Sequence, residues 1–475
     1  MKVRKRVALA VLLSLLLPVA CSRIDDSVHR TVDGKPKINR VNGWKYVFDD
    51  RVIPEIHIDV PLQNWNALLE AYDRDDHTSE TVMCSVLYRK GDEVTALDSV
   101  AFRLRGNTSR RRPEEGRGGH RTDKADWKHF HMGLNFRYYV DNDKHTIRGC
   151  RKVVLKWFKD DPACVREVFS YDLFRRCGIW TAAKDVYCRL WIHVGGDSRA
   201  AYFGVYNLIE PYDASWVKVR EDSLAARGSG APMDGYLWKC RYSSSLTNPG
   251  ASIGYDGQKD SERPVYELKN NVESFTEAKS QLRDFMRKVT DLQGDEFHRW
   301  IASHCDVPFL LRTYAVNVLL GNWDDYWNNT NNWYLFFDSP GDSYRFYYLP
   351  YDYDNVLGTT NLCGVQSDAG RHSPLEWGSK DNPLIYKILQ IPEYRQAYIS
   401  ALKEISSGEF AFSNSVSRIN VWWNRISPYV ENDTGEDCSL RDRTAGWGNH
   451  QEYRLLTGDD RTNFFRVKAL VCSKL

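Results

Sequence analysis

The chain has 475 residues, with 65 Lys and Arg against 63 Asp and Glu, 42% hydrophobic and 13% aromatic residues, so it can bury a substantial core. Wholesale disorder and a coiled coil are excluded. The formal charge of +2 arises at the very start: without Lys2, Arg4, Lys5 and Arg6 the balance is 61 basic against 63 acidic residues, which argues against a general nucleic-acid binder.

Those four charges precede an apolar run from Val7 to Leu13 that resumes after Ser14 and reaches Ala20. The run is short for a membrane span. Ending at Cys21, it has the layout of a bacterial lipoprotein signal, departing from the usual pattern in having Pro18 three residues before the cysteine. Residues 1–20 are expected to be removed and Cys21 to be lipidated, with 21–45 as anchor and polar tether. The body would then sit on a membrane of the bacterial cell envelope, facing the periplasm or the exterior. Ten further cysteines contain no CxxC pair, so a zinc ribbon is unsupported. The 12 histidines show neither HExxH nor HxxxH spacing, and His129 and His131, on one face of a strand, read as packing or phosphate contacts.

From residue 46 the chain is strand-rich. IPEIHIDV (53–60) reads as a strand entering the helix-like PLQNWNALLEAY, and VAFRLRG (100–106), HFHMGLNFRYYV (129–140) and KVVLKWF (152–158) carry the β-branched and aromatic bias of strands. Asp161-Pro162 reads as a helix start, continued by Val165, Phe169, Leu173 and Phe174 and stopped by Gly178. Strands at 185–194 and 201–210 complete what the pattern predicts to be an antiparallel sheet with one inserted helix. After Pro211 the pattern changes. Residues 241–262 read as a polar surface loop, 272–292 as a helix, and a second helix starts at Asp306, turns Phe309, Leu310, Tyr314, Val318 and Leu319 inward and ends at Gly321. A hairpin of WYLFF (333–337) and SYRFYYL (343–349) follows, and the remainder from Pro383 is mainly helical. The predicted class is α+β: a β-rich part over 46–213, a mainly helical part over 214–475, joined near Glu210 to Asp213.

Two segments of opposite charge stand out. Arg103 to His131 holds nine basic residues against four acidic ones; Asp306 to Asp354 holds seven aspartates against Arg312 and Arg345 alone, with no Glu or Lys. The first can bind phosphates and the second a hard cation through oxygen ligands. The RRRPEEGRGG stretch inside the basic segment reads as a solvated loop, which leaves Arg105 and Lys128, at strand edges, as its members of interest. Around the aspartates the order is a helix ending at Gly321, the loop NWDDYWNNTNN, a hairpin and then YDYD (351–354). Protein kinases place a catalytic Asp, a metal-binding Asn about five residues on, and a second metal-binding Asp after a hairpin in this order. Asx-rich loops are also good turns, so spacing alone is a weak signal.

The stretches RLRGNTSR, WKHFHMGLNF, DPACVREVFSYDLFRRCGI, RLWIHV with YFGVYNLIEPYD, YELKNN, GNWDDYWNNTNNWYLF, FYYLPYDYDNVLG and NPLIYKILQIPEYRQAY resemble, in order and from about Ile53 to about Ile405, the CotH family of atypical secreted protein kinases. The resemblance implies a kinase-like two-lobed fold that binds ATP with Mg²⁺ (or Mn²⁺) and phosphorylates Ser or Thr of proteins outside the cytoplasm. It implies Asp324 as the residue that takes the acceptor's proton, Asp352 and Asp354 as metal ligands, and Asn332 as a further ligand where kinase spacing selects Asn329. For the phosphate-binding lysine it selects Lys128, whereas the conventional kinase order of strand lysine and helix glutamate selects Lys156 with Glu167. Arg105 joins the phosphate contacts, and Glu210 lies where a kinase linker holds adenine. The competing reading is a surface lipoprotein that keeps the fold without catalysis and binds a glycan or partner protein. No glycine-rich phosphate loop is present, since Gly116, Gly118 and Gly119 do not satisfy GxGxxG.

Overall fold

The computed structural model describes residues 29–30, 36–37, 40–225, 233–258, 263–360, 368–436, 439–445, 449–450 and 453–475. Cys21 and the tether up to residue 39 lie largely outside the described residues, as do Cys363 and Cys438. Where the tether was expected to end, the chain forms helix α1 (Arg40–Val47). The fold is α+β, with a β-rich barrel first and a mainly helical part after it. No helix among the described residues is long and apolar enough to cross a membrane.

The N-terminal elements are β1 (Glu55–Val60), α2 (Leu62–Arg74), β2 (Val82–Lys90), β3 (Glu93–Leu104), β4 (Met132–Asn135), β5 (Lys152–Lys156), α3 (Arg166–Arg176), β6 (Asp185–Val194) and β7 (Ala201–Ile209). The strands close into a barrel in the order β1-β2-β3-β4-β5-β7-β6. Closure comes from β6 lying parallel to β1, with Ile56 opposite Leu190 and Ile58 opposite Ile192; the other neighbours are antiparallel. The expectation of a purely antiparallel sheet is corrected here, because alternation along a strand carries no information about a partner some 130 residues away. The strand expected over 129–140 shrinks to four residues, and β2 was not anticipated. Alternate residues point inward, so Ile56, Ile58, Val86, Tyr88, Phe102, Leu104, Met132, Leu134, Leu155, Leu190 and Phe203 fill the interior, while Trp65 of α2 and Trp127 pack against it.

The RRRPEEGRGG stretch divides: Glu115 to Gly119 is exposed, as a solvated loop should be, whereas Arg112 to Glu114 is buried. Glu114 is fully buried and accepts from Trp65 Nε1, from the Arg121 N–H and from the His120 ring, each at 2.7 Å; Arg112 pairs with Asp73 at 2.8 Å. Burying a carboxylate is tolerated because its oxygens are matched.

On the outside of the barrel lies α3, which buries almost its whole circumference. It begins at Arg166 and not at Asp161-Pro162, because Cys164 adopts a left-handed φ of 52° that no helix accommodates. Asp161 caps it from outside, accepting from the N–H groups of Ala163, Val165 and Arg166 and pairing with the Arg166 guanidinium. Gly178, at φ 81°, closes its other end while Ile179 N donates to Phe174 O at 2.9 Å.

After α4 (Ala214–Ala225), strands β8 (Leu237–Cys240), β9 (Ile253–Tyr255), β10 (Tyr266–Leu268), β11 (Trp333–Phe337) and β12 (Phe346–Pro350) form a sheet in the order β9-β10-β8-β11-β12. The polar stretch expected as loop thus contains β9. Helices α5 (Phe275–Asp291), α6 (Gly294–His304), α7 (Val307–Leu319), α8 (Pro383–Leu389), α9 (Pro392–Ser407), α10 (Phe412–Ile426) and α11 (Phe464–Cys472) complete the chain. At the centre is α7, capped by Asp306 through Phe309 N at 3.1 Å and buried from Leu310 onward except at Arg312. The hairpin pairs Trp333 with Pro350. That register brings the loop ending at Asn332 and the loop starting at Tyr351 out of the sheet side by side.

Candidate active site

Strand alternation puts Val153 and Leu155 of β5 inside the barrel and Lys156 outside it, beneath α3. There the Lys156 ammonium meets Glu167 Oε2 at 2.7 Å, from the first turn of α3, and Asp354 Oδ2 at 3.1 Å, and pairs closely with Asp352 Oδ1. Burial alone would lower the lysine pKa, but Asp352, Asp354 and Glu167 outweigh it and hold it well above the usual range. For Asp352 burial opposes ionisation and Lys156 overrides it, leaving the carboxyl below its ordinary value. Asp354 and Glu167 are pushed up by burial, Glu167 to about 8. One ammonium is shared by three carboxylates, of which Asp352 is held ionised while burial biases Glu167 and Asp354 toward the protonated form. Asp352 has a left-handed φ of 67°, which aspartate tolerates better than most residues, and its N–H points at the Tyr171 hydroxyl of α3.

The NWDD loop presents Asp324 within a ring of amides. Asn329 Nδ2 donates to Oδ1 at 2.6 Å, Asn332 Nδ2 to Oδ2 at 2.7 Å, and Asn331 to both oxygens at 3.1 and 3.3 Å. Both asparagines singled out from the sequence therefore surround the same carboxylate. Burial, with Asp352 and Asp354 adding to it, raises Asp324 to about 6 against the pull of the amides. Its neighbour Asp325 is fully buried, accepts from Asn317 Nδ2 at 2.6 Å and Asn328 N at 2.9 Å, and is raised to about 7 by burial.

Asn317 was missed in the sequence. From the last turn of α7 it also accepts from Tyr353 OH at 2.7 Å and Asn322 Nδ2 at 3.0 Å, tying the NWDD loop to the YDYD loop. Its signal was an amide inside the otherwise apolar YAVNVLL run. Asp185 was missed as well. It opens β6, is fully buried with no side-chain partner among the described residues, and is raised by burial and then by Glu167. Glu167 and Lys156 are the charged groups that act on it most.

The remaining candidates separate. Arg105 lies on the same outward barrel face as Lys156, its stem crossing Gly133, where a Cβ would stand 2.9 Å from Arg105 Cδ. Lys128 is not brought to the cluster: its ammonium pairs with Glu115 at 2.9 Å and Glu436 at 3.8 Å. Glu210 is buried and occupied by Arg220, whose two nitrogens each donate at 2.9 Å, and by Trp44 Nε1. His129 and His131 are buried packing residues, one bonded to Phe203 O at 3.0 Å and the other accepting from Trp157 N at 3.1 Å. A cavity of about 620 Å³ lined by Trp157, Asp161, Arg441 and Arg454 among others includes none of the aspartates of the cluster.

A family profile described as CotH kinase protein matches residues 103–456. The chain belongs to the CotH kinase protein family. The CotH match contains Lys156, Glu167, Asp324, Asp352 and Asp354 but starts within β3, so β1, α2 and β2 of the barrel precede it. Similar proteins include Inner spore coat protein H of Bacillus subtilis (strain 168), 23% identical over 60% of this chain and 70% of its own length. Spore coat protein homolog 1 and Invasin CotH7 of Rhizopus delemar are 26% and 24% identical over 63% of this chain, which spans only 46% and 47% of their lengths.

For a divalent metal the donor chemistry fits in that Asp352 and Asp354 offer hard carboxylate oxygens side by side at Lys156. Elsewhere, Asp75, Asp76 and His77 form an exposed group whose ligand atoms lie within 4.8 Å of one another, a surface grouping able to coordinate a divalent ion.

Proposed function

We propose that this CotH-family chain is an exported protein kinase that transfers the ATP γ-phosphate to Ser or Thr of proteins outside the cytoplasm, with Mg²⁺ or Mn²⁺. The observation that carries this reading is Lys156, ion-paired at once with Glu167 of the adjoining helix and with both aspartates of the YDYD loop. A strand lysine fixed by a helix glutamate is what a kinase uses to hold donor phosphates. The β-rich part over 46–213 acts as one lobe and 214–475 as the other, joined near Glu210 to Asp213. Asp352 and Asp354 hold metal, with an amide oxygen of Asn329 or Asn332 completing the set. When bound, the metal supplies charge neutralisation at the phosphates. Asp324 accepts the acceptor hydroxyl's proton; a carboxyl raised to about 6 is a better base than an unperturbed one and is still ionised at neutral pH. Lys156 and Arg105 contact phosphates; Lys128 and Glu210 serve ion pairs of the scaffold.

In this reading Cys21 carries the lipid that holds the body to the cell envelope, and fatty-acid labelling of Cys21→Ser against the unsubstituted chain tests that part alone. For the catalytic part the test is transfer of labelled phosphate from ATP to a Ser-rich acceptor with Mg²⁺ or Mn²⁺. If nucleotide binds under no metal condition, the chain is instead a kinase-like binding lipoprotein.

A further inference from the structure

Opposite the barrel face that carries Arg105 and Lys156 lies the sheet β9-β10-β8-β11-β12. The pairing registers put Lys239 of β8 beside Tyr334 of β11 and Glu267 of β10, and Tyr334 beside Leu349, so Lys239 and Tyr351 occupy one face. The Lys239 ammonium sits 4.8 Å from the Tyr351 ring centre and 5.9 Å from that of Tyr334. Tyr351 immediately precedes Asp352.

What is unusual is the counterion arrangement. The neighbouring carboxylates are taken: Glu267 pairs with Arg241 and, at 3.5 Å, with Lys269, and Asp256 pairs with Lys269 at 2.9 Å. Among the described residues neither Lys239 nor Arg105 has a hydrogen-bond or ion-pair partner for its cationic group. The like charges are crowded enough to be felt. Lys239 is held well below the usual lysine range by burial, Arg241 and Arg105, and Arg103 is pulled down to about 10 chiefly by Arg105. A half-buried ammonium without a carboxylate is costly, and rings can hold it but not neutralise it.

We propose that Lys239 is a second phosphate-binding lysine, forming with Arg105 the wall of an anion site that faces Asp352 from the sheet side and takes the phosphate chain of a nucleoside triphosphate. Its ligand class rests on the kinase reading. A peptide carboxylate fits less well, since Asp352 and Asp354 repel any anion that does not carry its own cation, whereas a polyphosphate with a divalent metal answers both halves of the site. Lys156 then holds the chain from the barrel and Lys239 from the sheet.

The test is calorimetric titration of the full mature chain and of Lys239→Met and Lys239→Arg with inorganic tripolyphosphate and with ATP, each with Mg²⁺. Lys239→Met is expected to lose roughly ten- to a hundredfold in tripolyphosphate affinity, the worth of a hydrogen bond to a charged group. Lys239→Arg should stay within about threefold because it keeps the charge. Lys239→Met should melt no lower than the unsubstituted chain, since it relieves repulsion. Unchanged tripolyphosphate binding in Lys239→Met overturns the proposal, as does lost binding accompanied by a lower melting temperature and no rescue by Lys239→Arg. Lys239-dependent tripolyphosphate binding with no nucleotide binding leaves the anion site standing and removes the kinase reading; equal binding of ATP by the unsubstituted chain and Lys239→Met does the reverse. Binding of neither ligand by the unsubstituted chain removes both.

Discussion

At Asn317 a single amide serves three groups, Asp325, Tyr353 and Asn322, that belong to two different loops. Asn317→Leu leaves all three inside the protein without that partner and is expected to cost about 2–3 kcal/mol in denaturant unfolding, with a fall in turnover as Asp324 loses its footing. Asp325 itself gives a pH signature. Its folded pKa of about 7 lies above the ordinary carboxylate value of 3.8, so between those values the folded chain binds the proton more tightly than the unfolded one. Stability from this group is full below about pH 4 and is lost as pH rises toward 7. Metal-free melting temperatures taken from pH 5 to 8 should therefore fall, and Asp325→Asn should flatten that fall; an unchanged slope would assign it to other groups. The two lysines are separated by their partners. Lys156→Met is expected to weaken ATP binding by about 1.5–3 kcal/mol, whereas Lys128→Ala, which loses only a surface pair with Glu115 and a longer one with Glu436, should change it by less than about 0.5 kcal/mol.

Elements were legible where local chemistry decides them. The alternation of Glu55–Val60 and of Lys152–Lys156, the Asp306 cap and the hairpin at Trp333 all stand in the sequence because each depends on residues within one turn or one pairing. What was not legible is non-local: barrel closure by the parallel β1–β6 pair, the burial of Glu114 by Trp65, and the capture of Lys128 by Glu436, more than 300 residues away. The partners of the two lysines needed the fold: Lys128, at a strand edge, pairs with Glu115, and Lys156, within a strand, with Glu167. The start of α3 is a middle case. Asp161 was visible as a start signal, but the turn through Cys164 that moves the helix to Arg166 was not. Asp161→Ala removes the acceptor of three N–H groups and leaves Arg166 with only carbonyl partners at Val356 and Arg443. Stripping a buried guanidinium of its carboxylate is expected to cost about 3 kcal/mol, while Asp161→Asn, which still accepts from the backbone, should cost less. Since Glu167 is the next residue, phosphate binding should weaken along with the melting temperature.

Across the whole molecule the site is assembled from parts that no single region owns. The barrel supplies Lys156 and Arg105, α3 supplies Glu167, and the two loops flanking one hairpin supply Asp324 and Asp352. Because the contributions come from separate elements, the functions assigned to the two aspartates are separable by experiment. Asp352 pairs with Lys156, whereas Asp324 accepts from the side-chain amides of Asn329, Asn331 and Asn332. Asp352→Asn should therefore abolish most of the metal-dependent gain in nucleotide affinity, because a carboxylate shared with phosphate through Mg²⁺ is what offsets their mutual repulsion. Asp324→Asn should leave that gain nearly intact. Its amide still fills the space among Asn329, Asn331 and Asn332 but accepts no proton, so the loss should appear in turnover, by roughly 10²–10⁴-fold, the contribution of a positioned general base. Nucleotide titrations with and without metal, run beside phosphate transfer on both variants, read the two effects separately. If Asp324→Asn instead loses the metal-dependent affinity and Asp352→Asn keeps it, the two assignments exchange, and the amide ring around Asp324 becomes the metal's coordination shell.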